Sequence, residues 1–270
     1  VLQYPDIDPV AFQVGELAVR WYGLSYLAGI LAGRWLLARH VRRLSLQSEW
    51  SAAELSDLMY LYVPIGVLCG GRLGSAIVYY PGAYLDDPLA ILRIWEGGMS
   101  FHGGLLGVAA AAAWFCRRRG KGFFAVCDLL APTAPVGLGL GRLANFVNGE
   151  LWGTPSGLPW AMVFPHVDAV ARHPSQLYEA VLEGLVLFVL LWRYAGRPRP
   201  PMAVFGLFLL GYGCCRFLVE FARAPDAHLG YLAWGWLTMG QALSAPMAVA
   251  GAAVLLAAYR PRAASGAGAA

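Results

Sequence analysis

Apolar runs long enough to cross a lipid bilayer recur along this chain, and the loops between them hold most of the arginines. Nothing else in the sequence constrains the fold as strongly. A hydrocarbon layer of ~30 Å is spanned by about 20 apolar residues in helical conformation. Such runs lie near 17–38, 57–80, 100–116, 123–146, 177–194, 202–222 and 235–258. They predict an all-α polytopic membrane protein with about seven transmembrane helices. Composition agrees: the chain is 59% hydrophobic and 13% charged, against about 25% charged for soluble domains. Its mean hydropathy is +0.55. Residues 1–262 are expected to form one membrane-embedded domain, with 147–176 as a small outer head and 263–270 as a disordered tail.

The basic residues predict orientation. Arg39, Arg42 and Arg43 follow the first run, and Arg117, Arg118, Arg119 and Lys121 follow the third. Arg193, Arg197 and Arg199 follow the fifth, and Arg260 and Arg262 the seventh. In the alternate loops, 81–99 sets Arg93 beside Asp86, Asp87 and Glu96, while 147–176 offers only Arg172. An odd number of spans then puts the N-terminus outside and the C-terminus in the cytoplasm. The start, VLQYPDIDP, has no basic stretch ahead of an apolar one, so the first run is expected to act as an uncleaved insertion signal. The net charge of +4 does not mark a nucleic-acid binder, because the basic residues alternate with apolar runs instead of lining one face. Five cysteines form no C-x-x-C pair and read as small apolar packing residues, not as a zinc site or a disulfide framework.

Polar groups at membrane depth are the candidate functional residues. GRLANFVNGELWG, residues 141–153, gathers Arg142, Asn145, Asn148 and Glu150 in an otherwise greasy chain. Arginine offers a planar fork of donors suited to phosphate, and Glu150 is placed to orient it or to pair with another arginine. GYGCCRFLVEFAR, residues 211–223, spaces Tyr212, Arg216, Glu220 and Arg223 three to four apart. Arg216 and Glu220 read either as an intrahelical ion pair or as a second anion site. His102 stands between glycine pairs in GGMSFHGGLLG and is either a hydrogen-bonded structural residue or a base working near neutral pH. The glycines there are expected to let backbone approach a ligand. Tyr22 and Tyr26 share a face in RWYGLSY, as an aromatic belt or as part of a site. Arg72, in GGRLGSA, fits a structural pairing as well as a substrate contact. In RHPSQLYE, Ser175 is expected to cap a helix. No G-x-S-x-G surrounds it, so a serine hydrolase is not indicated.

Taken together and in order, RWYGLSY, FHGGLLG, GRLANFVNGELWG, RHPSQLYE and GYGCCRFLVEFAR resemble the bacterial prolipoprotein diacylglyceryl transferases, over roughly residues 5 to 260. The resemblance implies a seven-helix body with a periplasmic head in the inner membrane. It implies transfer of the diacylglyceryl group of phosphatidylglycerol to the lipobox cysteine of a preprolipoprotein signal peptide. The products would be a thioether and glycerol 1-phosphate, in the first step of lipoprotein maturation. Neither metal nor diffusible cofactor is implied. Arg142 and Arg216 would contact the phosphate, and Tyr22, His102, Asn145, Glu150, Tyr212 and Glu220 fall where the family has important residues. The stretch from Phe164 to Arg172 is short beside some relatives, which bears on the shape of the head.

Rival classes fit less well. An anion transporter or channel would use the same buried arginines, although no internal repeat is present. A membrane aspartyl protease needs two facing aspartates, and Asp128 is the sole candidate within a run. Metal-dependent phosphatidyltransferases need clustered aspartates, which the sequence lacks.

Overall fold

A computed structural model describes residues 1–5, 7–15, 17–79, 82, 87–93, 98–225 and 229–260. The tail expected to be disordered, together with Asp86, Glu96 and Arg262, lies outside the described residues. Helices dominate. In chain order they are α1 (Trp21–Arg43), α2 (Ala52–Val78), α3 (Phe101–Arg119), α4 (Phe123–Leu130), α5 (Ala134–Val147), α6 (Ser175–Tyr194), α7 (Ala203–Val219) and α8 (Met239–Tyr259). By length and composition α2, α6 and α8 can each cross a membrane. The pair α4–α5, bent by 47°, makes a fourth if it is one span, and α7 is apolar but shorter. Each of the seven expected runs overlaps one of these helices or the bent pair, but this measure reaches four spans at most. Large apolar side chains such as Leu106, Ile77 and Val249 are exposed, as expected where lipid is the solvent.

The all-α expectation needs correction. Val10–Val14 (β2) and Leu17–Arg20 (β3) form an antiparallel hairpin, so the first helix begins at Trp21 and not at residue 17. Gly15, at φ +63°, supplies the positive φ of its turn, a conformation that L side chains rarely adopt. A second small sheet joins Leu2–Gln3 (β1) in parallel to Met162–Val163 (β4), which pairs antiparallel with Ala171–Arg172 (β5). Residues in the stretch 147–176 are therefore joined by the start of the chain. Tyr4 stacks on Phe164 and donates to the Val147 carbonyl at 2.7 Å. Arg172 binds Asp168, and this pairing holds the Asp168 carboxyl below the usual carboxylate range.

The glycines are mainly packing devices. Gly66, Gly70 and Gly74 of α2 face Gly103 and Gly107 of α3. A Cβ on Gly103 would stand 2.7 Å from the Gly74 Cα, and one on Gly107 would stand 2.7 Å from the Gly70 Cα. This is the small-residue seam that lets membrane helices touch backbone to backbone. Of the glycines around His102, Gly103 and Gly107 thus meet a neighbouring helix, whereas Gly104 borders a cavity.

Asp128, near the end of α4, accepts from the backbone N–H groups of Met202 at 2.6 Å and Phe205 at 2.8 Å. It caps α7 from a distance. Both contacts satisfy orphan donors of a helix start that lacks a side-chain cap of its own.

Candidate active site

The helices leave a cavity of about 420 Å³ among α1, α2, α3, α5 and α7, within the size range of small-molecule sites. Its wall is mostly apolar, with Val63, Val67, Leu105, Val108, Leu138 and Phe208 on it. Polar groups gather at one end, where Tyr22, Tyr26, Arg142 and Asn145 reach it. A shape that is apolar along its length and polar at one end suits a molecule with acyl chains and a polar headgroup.

Arg142 is fixed from behind. Its Nε lies 2.6 Å from Glu179 Oε2 and 3.4 Å from Glu183 Oε2. Arg216 shares the same two carboxylates, with Nη1 at 3.1 Å from Glu179 Oε1 and 3.7 Å from Glu183 Oε1. Its Nη2 is 2.8 Å from Glu220 Oε2. Arg223 closes the cluster at 4.0 Å from Glu179 and 3.9 Å from Glu220. Three arginines therefore face three carboxylates, and Glu179 and Glu183 are fully buried. Charges this deep persist only when paired. Residues 180–186 of α6 form a wide π-helical turn, a local distortion that often marks functional sites. Glu183 lies in that turn, Glu179 just before it.

Within this cluster the arginines differ. Arg216 has both Nη atoms beside carboxylates and does not line the cavity. The terminal nitrogens of Arg142 have no hydrogen-bond partner among the described residues, while its side chain borders the cavity. Arg142 is thus a guanidinium aimed by carboxylates at its Nε, with its fork free on the cavity side.

Several expectations change. Glu150 does not orient Arg142: its Oε1 accepts from Asn145 Nδ2 at 2.8 Å and from Asn148 Nδ2 at 3.3 Å. It locks the end of α5, and of these two asparagines only Asn145 lines the cavity. Ser175 is not a helix cap, because its hydroxyl donates to the Leu151 carbonyl at 2.9 Å. Beside it, Gln176 donates to the Glu150 carbonyl at 2.6 Å, so RHPSQLYE ties α6 to the turn after α5. Arg72 is buried away from the cavity, donating to the carbonyls of Ile91 at 3.1 Å, Arg93 at 2.9 Å and Gly98 at 3.3 Å. It clamps the loop after α2. Tyr22 and Tyr26 stand together, their hydroxyls 3.4 Å apart. Tyr212 is buried behind Phe101, with ring centroids 4.4 Å apart, and does not line the cavity. His102 follows Phe101 but also stays off the wall, and its Nε2 is buried without a hydrogen-bond partner. Glu220 bonds Arg216 and accepts from Thr238 Oγ1 at 3.0 Å, which joins the start of α8 to the cluster.

Glu179 and Glu183 are the residues that sequence reasoning missed as site members. The signal was present: YEAVLEGLVLF places two carboxylates four apart in an apolar run, one turn from each other on a helix face. No group of three or more His, Cys, Asp or Glu able to hold a metal occurs among the described residues.

A family model described as prolipoprotein diacylglyceryl transferase matches residues 9–257. Relatives named phosphatidylglycerol–prolipoprotein diacylglyceryl transferase cover nearly the whole chain. One from Ectopseudomonas mendocina is 53% identical over 268 residues, 99% of this chain and 100% of its own. One from Azotobacter vinelandii is 57% identical over 261 residues, 96% of this chain and 97% of its own. One from Pseudomonas aeruginosa is 55% identical over the same length, with the same coverage.

Proposed function

The chain belongs to the prolipoprotein diacylglyceryl transferase family, and from that premise we propose how its cavity and arginine cluster carry out the transfer. The protein is a membrane transferase of lipoprotein biosynthesis, taking its diacylglyceryl group from phosphatidylglycerol and giving it to a prolipoprotein. The acceptor atom is the lipobox cysteine sulfur. The sulfur attacks the glycerol carbon that bears the phosphate. A C–S bond forms, the C–O bond to phosphate breaks, and glycerol 1-phosphate departs with the bonding electrons. The thiol proton must leave first or in concert, because the thiolate is the nucleophile.

Arg142 is the hydrogen-bond donor to the phosphate. Its free fork at the polar end of an apolar cavity is the observation that carries this reading. Donors already held in place stabilise charge as it develops on a leaving group, without reorganising at that moment. Glu179 and Glu183 hold the Nε of Arg142, and Arg216 holds those carboxylates from the far side. Arg216 acts through the cluster and does not touch phosphate, unlike the direct contact that the family resemblance implies. Asn145 and Tyr22 add neutral donors at the same end. His102 is the base for the thiol and reaches it by a shift of Phe101, beside which it lies. The seven helical units serve as seven spans, with the head 147–176 and the N-terminal strands in the periplasm of the inner membrane. The basic loops then face the cytoplasm.

The test is an intact-mass assay. Purified protein in detergent is mixed with phosphatidylglycerol and a peptide containing a lipobox cysteine. The expected product is a diacylglyceryl adduct on that cysteine, with glycerol phosphate released in equal amount. Folded, lipid-bound protein that gives no adduct would overturn the reading and leave an anion carrier, detectable as phosphate flux in vesicles. For the base, His102→Gln is expected to abolish turnover at neutral pH. Near-full turnover by that variant would remove His102 from the mechanism.

A further inference from the structure

At the opposite end of α1 from Tyr22, a second concavity of about 640 Å³ is bordered by Arg39, Arg42, Arg43, Trp192 and Arg193. The 17 residues from Tyr22 to Arg39 separate the two sites by about 25 Å along the helix. No carboxylate lies within ion-pair distance of these four arginines among the described residues. Elsewhere, by contrast, Arg119 is paired with Asp57 and Lys121 with Glu54. A general excess of basic residues in a loop accounts for the charge. It does not account for four arginines bordering one opening while Arg119 and Lys121, at the end of α3, have counter-ions built in.

The opening is shaped as well as charged. Arg43 Nη1 donates to the Trp192 carbonyl at 3.1 Å, and its guanidinium lies 5.9 Å from the centre of the Trp192 ring. Gly196 makes room for it, because a Cβ there would fall on the Arg43 guanidinium. Leading to Arg39 along α1 is an exposed apolar row, Leu27, Leu31 and Trp35, each four residues from the next and 51–55% exposed. That spacing places the row on one face of the helix. Arg39 ends the row and lies 5.4 Å from the centre of the Trp35 ring.

We propose that this concavity is a seat for the phosphate of an anionic phospholipid, distinct from the cavity bordered by Arg142. Arginine forks match phosphate oxygens, and basic pockets between membrane helices hold anionic headgroups. The apolar row supplies a track for an acyl chain below the headgroup, which a soluble phosphate ester would not use. The bilayer lipid is therefore the occupant.

Native mass spectrometry of the purified protein, titrated with phosphatidic acid in detergent, tests this. Phosphatidic acid carries the phosphate without a second glycerol, and the Arg142 cavity stays intact in every variant compared. Arg39→Gln/Arg42→Gln/Arg193→Gln is expected to weaken one lipid-bound state by about 5-fold per arginine, or about 100-fold in all. Gly196→Ala, which keeps every charge but displaces Arg43, is expected to weaken the same state by about 5-fold. The variants are expected to keep their diacylglyceryl transfer, which shows that they fold. Arg117→Gln/Arg118→Gln/Arg119→Gln removes as many exposed charges from the end of α3, which does not border the concavity, and is expected to leave this state unchanged. An equal loss in that control, equal binding of phosphatidylcholine, or displacement by millimolar glycerol phosphate would each overturn the proposal.

Discussion

Two groups of arginines mark the two ends of α1, and they are balanced in opposite ways. Arg142, Arg216 and Arg223 lie in the interior with Glu179, Glu183 and Glu220 around them. Arg39, Arg42, Arg43 and Arg193 border an open concavity with no carboxylate beside them. A cation buried in the protein must have its counter-ion in the same interior, because leaving water unpaired costs several kcal/mol. A cation at headgroup level can take its counter-ion from the lipid. The exception inside the buried group is informative. Arg142 keeps its fork free where the cavity begins, and that is where an anionic substrate completes the pairing.

The comparison breaks most easily at Glu179. Replacing it with Ala leaves Arg142 and Arg216 short of a carboxylate, and thermal unfolding in detergent is expected to show a loss of about 3–5 kcal/mol. A smaller loss would mean that water already screens the cluster. Gly107→Leu asks whether buried charge is the only rigid part of the interior. The α2–α3 seam has no charge, yet a side chain there meets backbone, so the variant should lose about 1–3 kcal/mol in the same measurement.

Asp168 with Arg172 is an intermediate case, a paired charge in the partly exposed head. The folded carboxyl titrates below its unfolded value because Arg172 holds it. Its contribution is therefore present above the ordinary carboxylate pKa of about 4 and is lost as pH falls through the folded value. Hydrogen exchange at the Ser156 N–H, which donates to the Ala171 carbonyl at 2.8 Å, should accelerate over that range. Asp168→Asn should flatten the dependence. The smallest effect is expected at the open end, where Arg39→Gln should shift stability by less than about 0.5 kcal/mol. A large loss there would mean that Arg39 is structurally paired and that the contrast between the two ends is false.

The apolar runs made the helices legible, because a bilayer dictates their length and leaves few alternatives. Arg142, Arg216 and Glu220 were legible for a related reason: ionisable groups inside such runs need a partner or a purpose. Glu179 and Glu183 obeyed the same rule and were passed over. RHPSQLYE was read only for a helix cap at Ser175, and the arginine partners of the two glutamates lie far away in sequence. The same distance concealed the role of Asp128, which caps a helix that starts over seventy residues later. The second strand of the hairpin, Leu17–Arg20, was absorbed into the first apolar run, whose tally of apolar residues does not distinguish strand from helix, and the first strand, Val10–Val14, was assigned to no element. The glycines near His102 were read as room for backbone to approach a ligand, whereas Gly103 and Gly107 serve by the absence of a side chain between two helices.

The central claim is that Arg142 alone offers its fork to the phosphate while Arg216 acts from behind it. Single-turnover transfer from phosphatidylglycerol to a lipobox peptide tests it most directly, with Arg142→Lys and Arg216→Lys compared as folded proteins. Arg142→Lys keeps the charge but loses the planar fork. It is expected to slow the chemical step by about 10²–10³-fold at saturating lipid, with Arg216→Lys at least tenfold less affected. Equal losses in the two variants, or near-normal transfer by Arg142→Lys, would contradict the account.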